Sequence, residues 1–299
     1  MITRRQFLHG TAGIFALGAS AGAYSVIIEP EFRLTLQRWT IGHPHWRQSS
    51  APLRIAVLAD LHAMEPWMPL PRIEHIVDAA NGLGADLIVL LGDYVAGMEP
   101  FSTGIVPIAD WSSVLGRLRA PLGVFAVLGN HDWWVDAKGV RRGLERVGIP
   151  VLENHALKLK KDDRPFWLAG LGDQLAIRLG RSFHGVDDLK STLAKTLDDR
   201  DPVILLAHEP DIFVRVPERV TLTLSGHTHG GQVWLPFIGR PIIPSRYGQR
   251  FAYGHVVEDG RHLLVSSGLG MSRIPVRFMV PPEIALVTLT APAAGVPAA

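Results

Sequence analysis

Leu53-Arg54-Ile55-Ala56-Val57-Leu58-Ala59-Asp60-Leu61-His62 is a short apolar run that ends on a carboxylate and an imidazole. The form recurs. Residues 87–91 are apolar and lead into Gly92-Asp93, and residues 124–128 lead into Gly129-Asn130-His131-Asp132. Between these runs, residues 72–83 place Ile73, Ile76, Val77 and Ala80 at helical spacing, and residues 111–118 and 138–147 read as two further helices. Near-continuous apolar strands, alternating with helices, predict a largely parallel sheet covered on both faces.

The second half is richer in strands. Apolar runs occur at 166–171, 203–207 and 222–224, with a helix expected over 186–197. Strand-like stretches follow at 232–235, 255–258, 262–266 and 284–290, and Asp259-Gly260 reads as a hairpin turn. Residues 29–52 read as a connector, with Pro30, Pro44, Pro52 and a Ser49-Ser50 pair. Residues 291–299 read as a flexible tail of Ala, Pro, Gly and Val, which leaves one main domain over 53–290.

The 299 residues are 47% hydrophobic and 19% charged, enough apolar material to bury a core. The formal net charge is +2 and no basic stripe accompanies it, so nucleic acid is not an expected partner. There is no cysteine, which excludes disulfides, thiolate metal sites and a cysteine nucleophile. Any metal must be held by imidazole, carboxylate, amide or water.

The N-terminus reads Thr3-Arg4-Arg5-Gln6-Phe7-Leu8, then runs uncharged from Gly10 to Ile28. A twin arginine before an apolar Gly/Ala-rich segment resembles a twin-arginine export signal, and Ala19-Ser20-Ala21 or Ala21-Gly22-Ala23 offers a cleavage site. The alternative is an uncleaved anchor, since the uncharged segment would reach about 28 Å as a helix, close to a bilayer core. Residues 1–28 are thus expected to be a signal or membrane anchor. The twin-arginine export machinery is then a partner, and the location is the cell envelope, periplasmic or anchored to the cytoplasmic membrane.

Each chemically loaded motif follows an apolar run. Ligands of open α/β sheets bind beyond the carboxyl ends of the strands, so Asp60, Asp93, Asn130, His208 and His227 are expected on one rim. Asp60 and His62, like His227 and His229, stand at i and i+2. In extended backbone such side chains point to the same side, so each pair can face one metal or two adjacent ones. Singly, each residue has an ordinary reading: Asp60 as a cap, Asn130 as a turn residue, His208 as a satisfied core histidine.

Together, Asp60-Leu61-His62, Gly92-Asp93-Tyr94, Gly129-Asn130-His131-Asp132, Ala207-His208-Glu209-Pro210 and Gly226-His227-Thr228-His229 resemble the calcineurin-like metallophosphoesterases, in family order. Gly230-Gly231-Gln232-Val233, Ser245-Arg246-Tyr247-Gly248 and Ser267-Gly268-Leu269-Gly270 are similar to the bacterial cell-envelope branch often called YkuE-type. The resemblance implies an α/β fold, a four-layer α/β/β/α sandwich of two central mixed sheets flanked by helices. It implies two divalent metal ions, and Mn, Fe, Zn and Mg all suit these ligand types. Asp60, His62 and His229 would bind the first, Asn130, His208 and His227 the second, with Asp93 bridging. The implied chemistry is metal-hydroxide attack on phosphorus. His131 would bond the phosphoryl group or protonate the leaving oxygen. Asp132 would either orient His131 or serve structure.

The protein Ser/Thr phosphatases continue their Gly-Asp motif with Asp-Arg-Gly. Here Gly92-Asp93-Tyr94-Val95 is followed by Ala96-Gly97-Met98, which points away from protein substrates. The expected substrate is a cell-envelope phospholipid or a nucleotide-sugar lipid, with UDP-2,3-diacylglucosamine pyrophosphatase activity as the family precedent and the membrane surface as a partner. The alternatives are a broad phosphodiesterase or phosphatase and, of another class, a non-catalytic metal-binding envelope protein. Among Arg246, Arg250, Arg273 and Arg277, Arg246 and Arg273 are the candidates for bidentate phosphate contact, against an equal reading as solvated surface arginines. His43-Pro44-His45 reads as a connector with exposed histidines in preference to a metal clip, Asp173 as a turn residue, and Trp133-Trp134 as packing. The stretch Met64, Trp67, Met68 and Leu70 either packs or meets an acyl chain.

Overall fold

The computed structural model describes residue 9 and residues 18–47, 49–95, 98–196 and 200–292. The twin arginine and most of the expected tail lie outside the described residues. A π-helical turn, Tyr24–Ile28, leads into helix α1 (Glu29–Phe32) and strand β1 (Thr35–Gly42). Strands β2 (Leu53–Leu58) and β3 (Met64–Glu65), helix α2 (Leu70–Asn81), strands β4 (Leu87–Leu90) and β5 (Gly104–Ile105), helix α3 (Ile108–Leu115) and strand β6 (Val124–Ala126) follow. Helices α4 (Asn130–Val135) and α5 (Ala137–Arg146) close the first half. The second half holds β7 (His155–Lys161), β8 (Arg164–Gly170), β9 (Ile177–Leu179), β10 (Ser182–His184), helix α6 (Leu189–Ala194), β11 (Val203–Leu206), β12 (Leu222–Ser225), β13 (Gly254–Glu258), β14 (Arg261–Val265) and β15 (Glu283–Thr290).

Two mixed sheets form the centre. The first has the order β1-β15-β2-β4-β6 and the second β13-β14-β12-β11-β8-β7. The continuous apolar runs now have a reason: every central strand is buried on both faces. In β2, Ala56 and Leu58 pack against Ile73, Ile76 and Trp111 of the helices, while Ile55 and Val57 enter the layer between the sheets. In β11, Ile204 and Leu206 enter that same layer, while Val203 and Leu205 face Ile212, Phe213 and Phe251 on the far side. Full burial of each such side chain contributes about 1.5–3 kcal/mol. The helical cover is unequal. The first sheet is covered by α2, α3 and α5, whereas α6 and short 3-10 turns such as Pro210–Arg215 cover the second.

Helix and strand positions follow the sequence reading within a few residues in the first half. Pro71, in the first turn of α2, needs no amide partner there, and Gly82 ends that helix. The hairpin turn between β13 and β14 is as expected, with Asp259 and Gly260 at φ 49° and 72°. Three expectations are corrected and one strand, at 155–161, is added. Residues 29–52 are not only a connector, because β1 pairs in parallel with β15 over its whole length and Trp46 is buried in the inter-sheet core. The alternation of β1, with Trp39 and Ile41 inward, is hidden by Arg38 and the flanking prolines. Residues 155–161 form edge strand β7, where Leu157 and Leu159 face the core between lysines. The helix over 186–197 is short, and Asp188 caps its start by accepting from the Ser191 amide at 2.9 Å. Residues 232–235 make only isolated bridges, Val233 to Phe278 and Leu235 to Gly239.

His43 is also corrected: it is buried, with its ring against His45 at 4.6 Å and His262 at 5.2 Å, because β1 delivers it beside β14. His255 stacks on His262 at 5.1 Å. Burial, then the charges of His45 and His262, lowers His43 to about 3, and burial with His262 lowers His255 to about 4. An unfolded histidine takes up its proton near 6.5. Above that pH both states are neutral at these residues. Below it the unfolded chain binds protons that the folded chain refuses, so stability falls as pH drops from about 6.5 towards 3. In thermal melts across that window, His43→Gln/His255→Gln should show a shallower acid loss than wild type; parallel curves would show that these histidines do not set it.

Candidate metal centre

The motif segments leave the carboxyl ends of β2, β4, β6, β11 and β12 and meet on one rim, where the strand ends of the two sheets face each other. Two groups of donors converge there. Asp60, His62 and His229 form one, and Asp93, His208 and His227 the other, each with ligand atoms within 4.8 Å of one another. Asp93 Oδ2 lies 3.3 Å from His208 Nε2 and 3.6 Å from His62 Nε2, so it stands between the groups. Asn130 Oδ1 lies 3.2 Å from His208 Nε2 and 2.8 Å from His227 Nδ1. All seven residues are buried.

The local backbone is not the extended one expected from the i and i+2 spacing. Asp60, His62, Asp93, His227 and His229 all lie in the left-handed region, with φ of 55°, 48°, 57°, 68° and 51°. Five non-glycine residues in that region form a costly cluster, of the kind found where a site over-determines its loops. The cost is offset by hydrogen bonds and close approach. Asp132 is the main clamp. Its Oδ2 accepts from the amides of Asp93 and Gly129 at 2.8 and 2.9 Å, and its Oδ1 accepts from Tyr94 at 2.8 Å. Gly129 has no room for a side chain, since a Cβ would lie 2.3 Å from Asp93 Oδ1 and 2.7 Å from His208 Cε1.

Three of the histidines have an assigned proton. His62 Nδ1 donates to the Val95 carbonyl at 2.9 Å, His208 Nδ1 to Leu91 at 2.7 Å and His227 Nε2 to Pro244 at 2.9 Å. A carbonyl only accepts, so those ring nitrogens carry the hydrogen and the opposite ones face the centre. Asn130 Oδ1 lies against both His208 Nε2 and His227 Nδ1. Against the effect of burial, Asp93 raises His208 well above the usual imidazole range, so His208 Nε2 carries a proton towards Asp93, where a metal ion would take its place. Burial lowers His62 to about 3, and burial with the charge of His62 lowers His229 well below the usual imidazole range, so both are neutral ligands at pH 7. Burial pushes the Asp60 carboxyl up to about 7 against the pull of His208. A positive ion there would hold it ionised. The donors therefore fit divalent metal in number and type.

The comparisons agree with that geometry. The calcineurin-like phosphoesterase family profile matches residues 53–231. The chain belongs to that family. It is 33% identical to the uncharacterized metallophosphoesterase YkuE of Bacillus subtilis, over 96% of this chain and 98% of the relative. It is 32% identical to the phosphodiesterase YaeI of Escherichia coli, over 97% of this chain and all of the relative, and 30% identical to an uncharacterized metallophosphoesterase of Aquifex aeolicus, over 90% and 95%. The protein is accordingly a metallophosphoesterase, a hydrolase of phosphoester bonds that uses two divalent metal ions.

The remaining candidates divide. His131 stands at the mouth, half-buried, with its amide on Asp93 Oδ1 at 2.8 Å, its Nε2 3.3 Å from Ser272 Oγ and its ring 4.9 Å from those of His62 and Trp134. Asp132 is corrected as a catalytic candidate, because both oxygens are taken up by backbone amides and it positions loops, not the His131 ring. Arg246 and Arg273 are exposed on loops beside the centre. Arg277 is fully buried and donates to the carbonyls of Ser267, Gly270 and Val280, while Arg250 pairs with Glu258. Met64 is buried with Met98 and Met271, and Met68 is buried in the core under the first sheet's helices, so the packing reading holds for both. Asp173 is more than a turn residue. It is buried and groups with His208 and Glu209, with Asp173 Oδ2 and Glu209 Oε1 lacking donors. Its place after an apolar run was the only sequence signal. Burial, then Glu209, raises its carboxyl well above the usual range.

Gly129→Ala tests the cradle. The folded protein should lose most of its bound metal by elemental analysis while keeping its far-ultraviolet circular dichroism. Wild-type metal content would show that the segment has room to shift.

Proposed function

We propose that the protein cleaves a phosphodiester or pyrophosphate bond in an amphiphilic cell-envelope substrate, a phospholipid or a nucleotide-sugar lipid. The observation that carries the reading is the setting of His131. Its ring meets that of His62 at the metal centre and that of Trp134, whose indole stacks on Phe183 at 5.6 Å and lies under Arg178 at 3.7 Å. A leaving group beyond His131 would thus meet an apolar wall with a cation on it, which suits a lipid phosphate better than a phosphoprotein. Phosphodiester cleavage is also the activity named for the YaeI relative.

In this reading Asp60, His62 and His229 would hold one ion, Asn130, His208 and His227 the other, and Asp93 would serve both. Bound there, the ions would supply positive charge against the phosphoryl oxygens and a more acidic water. This chain's part is to keep the imidazoles neutral and aimed, through the carbonyls of Leu91, Val95 and Pro244. His131 delivers a proton from Nε2 to the leaving oxygen, and Ser272 fixes the ring. Arg246 and Arg273 neutralise the far phosphate or headgroup. The cell-envelope location rests on Arg4-Arg5 and the uncharged segment after it. No helix among the described residues is long and apolar enough to cross a membrane.

Two substitutions separate metal binding from proton transfer, with bis-p-nitrophenyl phosphate and added manganese as the assay. Asp93→Ala should bind fewer than two ions and lose turnover. His131→Ala should keep both ions and slow by roughly 10²–10⁴-fold, the usual range for a general acid. Unchanged turnover in the second variant would assign the proton to another group. A panel of lipid and nucleotide-sugar substrates decides the class; preference for short soluble diesters throughout would favour the broad phosphodiesterase. Replacing Arg4-Arg5 by Lys-Lys should leave the protein in the cytoplasm of a twin-arginine-competent bacterium, and normal export would refute the signal.

A further inference from the structure

Three segments flank the mouth, and none carries a carboxylate. Residues 174–185, 232–254 and 268–282 contain no Asp or Glu, in a chain with 28 acidic residues among 299. Each is tied to the centre. Trp134, beside His131, bonds the Leu175 carbonyl at 2.9 Å and stacks on Phe183 in the first segment. His227 bonds Pro244 in the second, and His131 meets Ser272 in the third. The second and third are joined by the Trp234 amide, which donates to Phe278 at 2.9 Å. The carboxylate-free segments therefore all abut the residues of one centre.

Their tips are apolar and cationic. Phe237 is fully exposed, Ile238 and Ile242 are 69% and 66% exposed, and Ile274 and Met279 stand out from the third segment. The β9–β10 hairpin adds Ile177, Leu179 and Phe183. Arg178, Arg181, Arg246 and Arg273 are exposed among them. The end of the N-terminal apolar segment reaches the same place. Glu29 accepts from the amides of Met279 and Val280 at 2.9 and 2.6 Å, and Ser25 accepts from that of Arg277 at 2.9 Å. Ile27, Ile28 and Phe32 are exposed beside it.

We propose that this rim docks on an anionic phospholipid bilayer, with the apolar tips entering the headgroup boundary, the arginines on lipid phosphates, and the mouth facing the membrane. Exposed aliphatic and aromatic side chains interleaved with cations are the makeup of an interfacial anchor. The segments bring no carboxylate of their own, and two that bond to them are withheld from an anionic surface: Glu29 is buried on the Met279 and Val280 amides, and Asp211 is half-buried on Ser245 and the Arg246 amide. The convergence of the N-terminal apolar segment on this rim favours a bilayer over a second protein. The proposal deepens the functional reading by naming where its substrate resides, but docking itself needs no turnover.

The absence of cysteine allows a direct test on the full-length, metal-loaded protein. Phe237→Cys and, on the distant edge strand β7, Lys160→Cys are each labelled with an environment-sensitive fluorophore. With phosphatidylglycerol vesicles the label at 237 should shift to the blue and the label at 160 should not; phosphatidylcholine vesicles should give a weaker shift. Arg246→Glu/Arg273→Glu should weaken anionic-vesicle binding by at least roughly 30-fold, taking about 1 kcal/mol for each cation near the surface. A label at 237 that stays in water while the protein is vesicle-bound would overturn the proposal, leaving attachment to residues before 29. A blue shift without vesicles that grows with protein concentration would also overturn it, in favour of a second copy on the rim. Loss of diester hydrolysis with the vesicle shift intact would strike the functional reading and leave the docking surface standing.

Discussion

The carboxylate of Asp93, fully buried and set between two groups of imidazoles, is the constraint from which the rest follows. Burial alone would raise its pKa, yet the charges of His208 and His131 and a hydrogen bond from His208 hold it well below the usual carboxylate range. A buried carboxylate is stable only with positive charge close by. Here the partners come from both sheets: His62 follows β2, while His208 and His227 follow β11 and β12. The two sheets must therefore meet with their strand ends facing, and the inter-sheet layer of Ile55, Val57, Leu206 and Leu224 fixes that meeting by apolar packing. The centre and the core are two consequences of one alignment.

Asp132 shows how the cost of the centre is met. Left-handed backbone at Asp60, His62, Asp93, His227 and His229 is unfavourable by itself. The amides of Asp93, Tyr94 and Gly129 converge on one buried carboxylate, which ties the loop after β4 to the loop after β6. Close approach does the rest, since Gly268 would place a Cβ 2.7 Å from that of Asp60. The ligands are presented by an over-determined set of loops, so substitutions that touch no metal can still empty the site. The rim has the opposite character. Its backbone is bonded within and between its own loops, but side chains at its tips such as Phe237, Ile238 and Ile242 face outward, which leaves them open to a surface instead of an ion.

How much of this was legible differs from element to element. The strands β2, β4, β6, β11 and β12 were readable because double-sided burial makes them apolar almost throughout, Arg54, Thr223 and Ser225 being the exceptions. β1 was not, because its alternation of Thr35, Gln37 and Trp39 with Leu36, Arg38 and Thr40 sits among prolines and looks like a linker. β7 was hidden for a related reason: at a sheet edge its lysines face water, so no continuous apolar run marks it. The ligand residues were visible as chemistry at strand ends, and the strand ends do bring them together, but the local backbone at the i and i+2 pairs differs. Spacing of two residues suggested extended backbone, whereas the structure uses left-handed turns.

The sequence by itself determined the class of fold and the chemistry of the donors, because side-chain period, residue type and order along the chain are local properties. It could not show that Asp132 clamps amides instead of steering His131, that Arg277 is a buried latch while Arg246 and Arg273 face solvent, or that Asp173 lies against His208. Those facts depend on which groups meet across long separations, as when His208 finds the carbonyl of Leu91, 117 residues away. Proton assignment, burial and exposure are set by such meetings, and only the packed tertiary structure decides them.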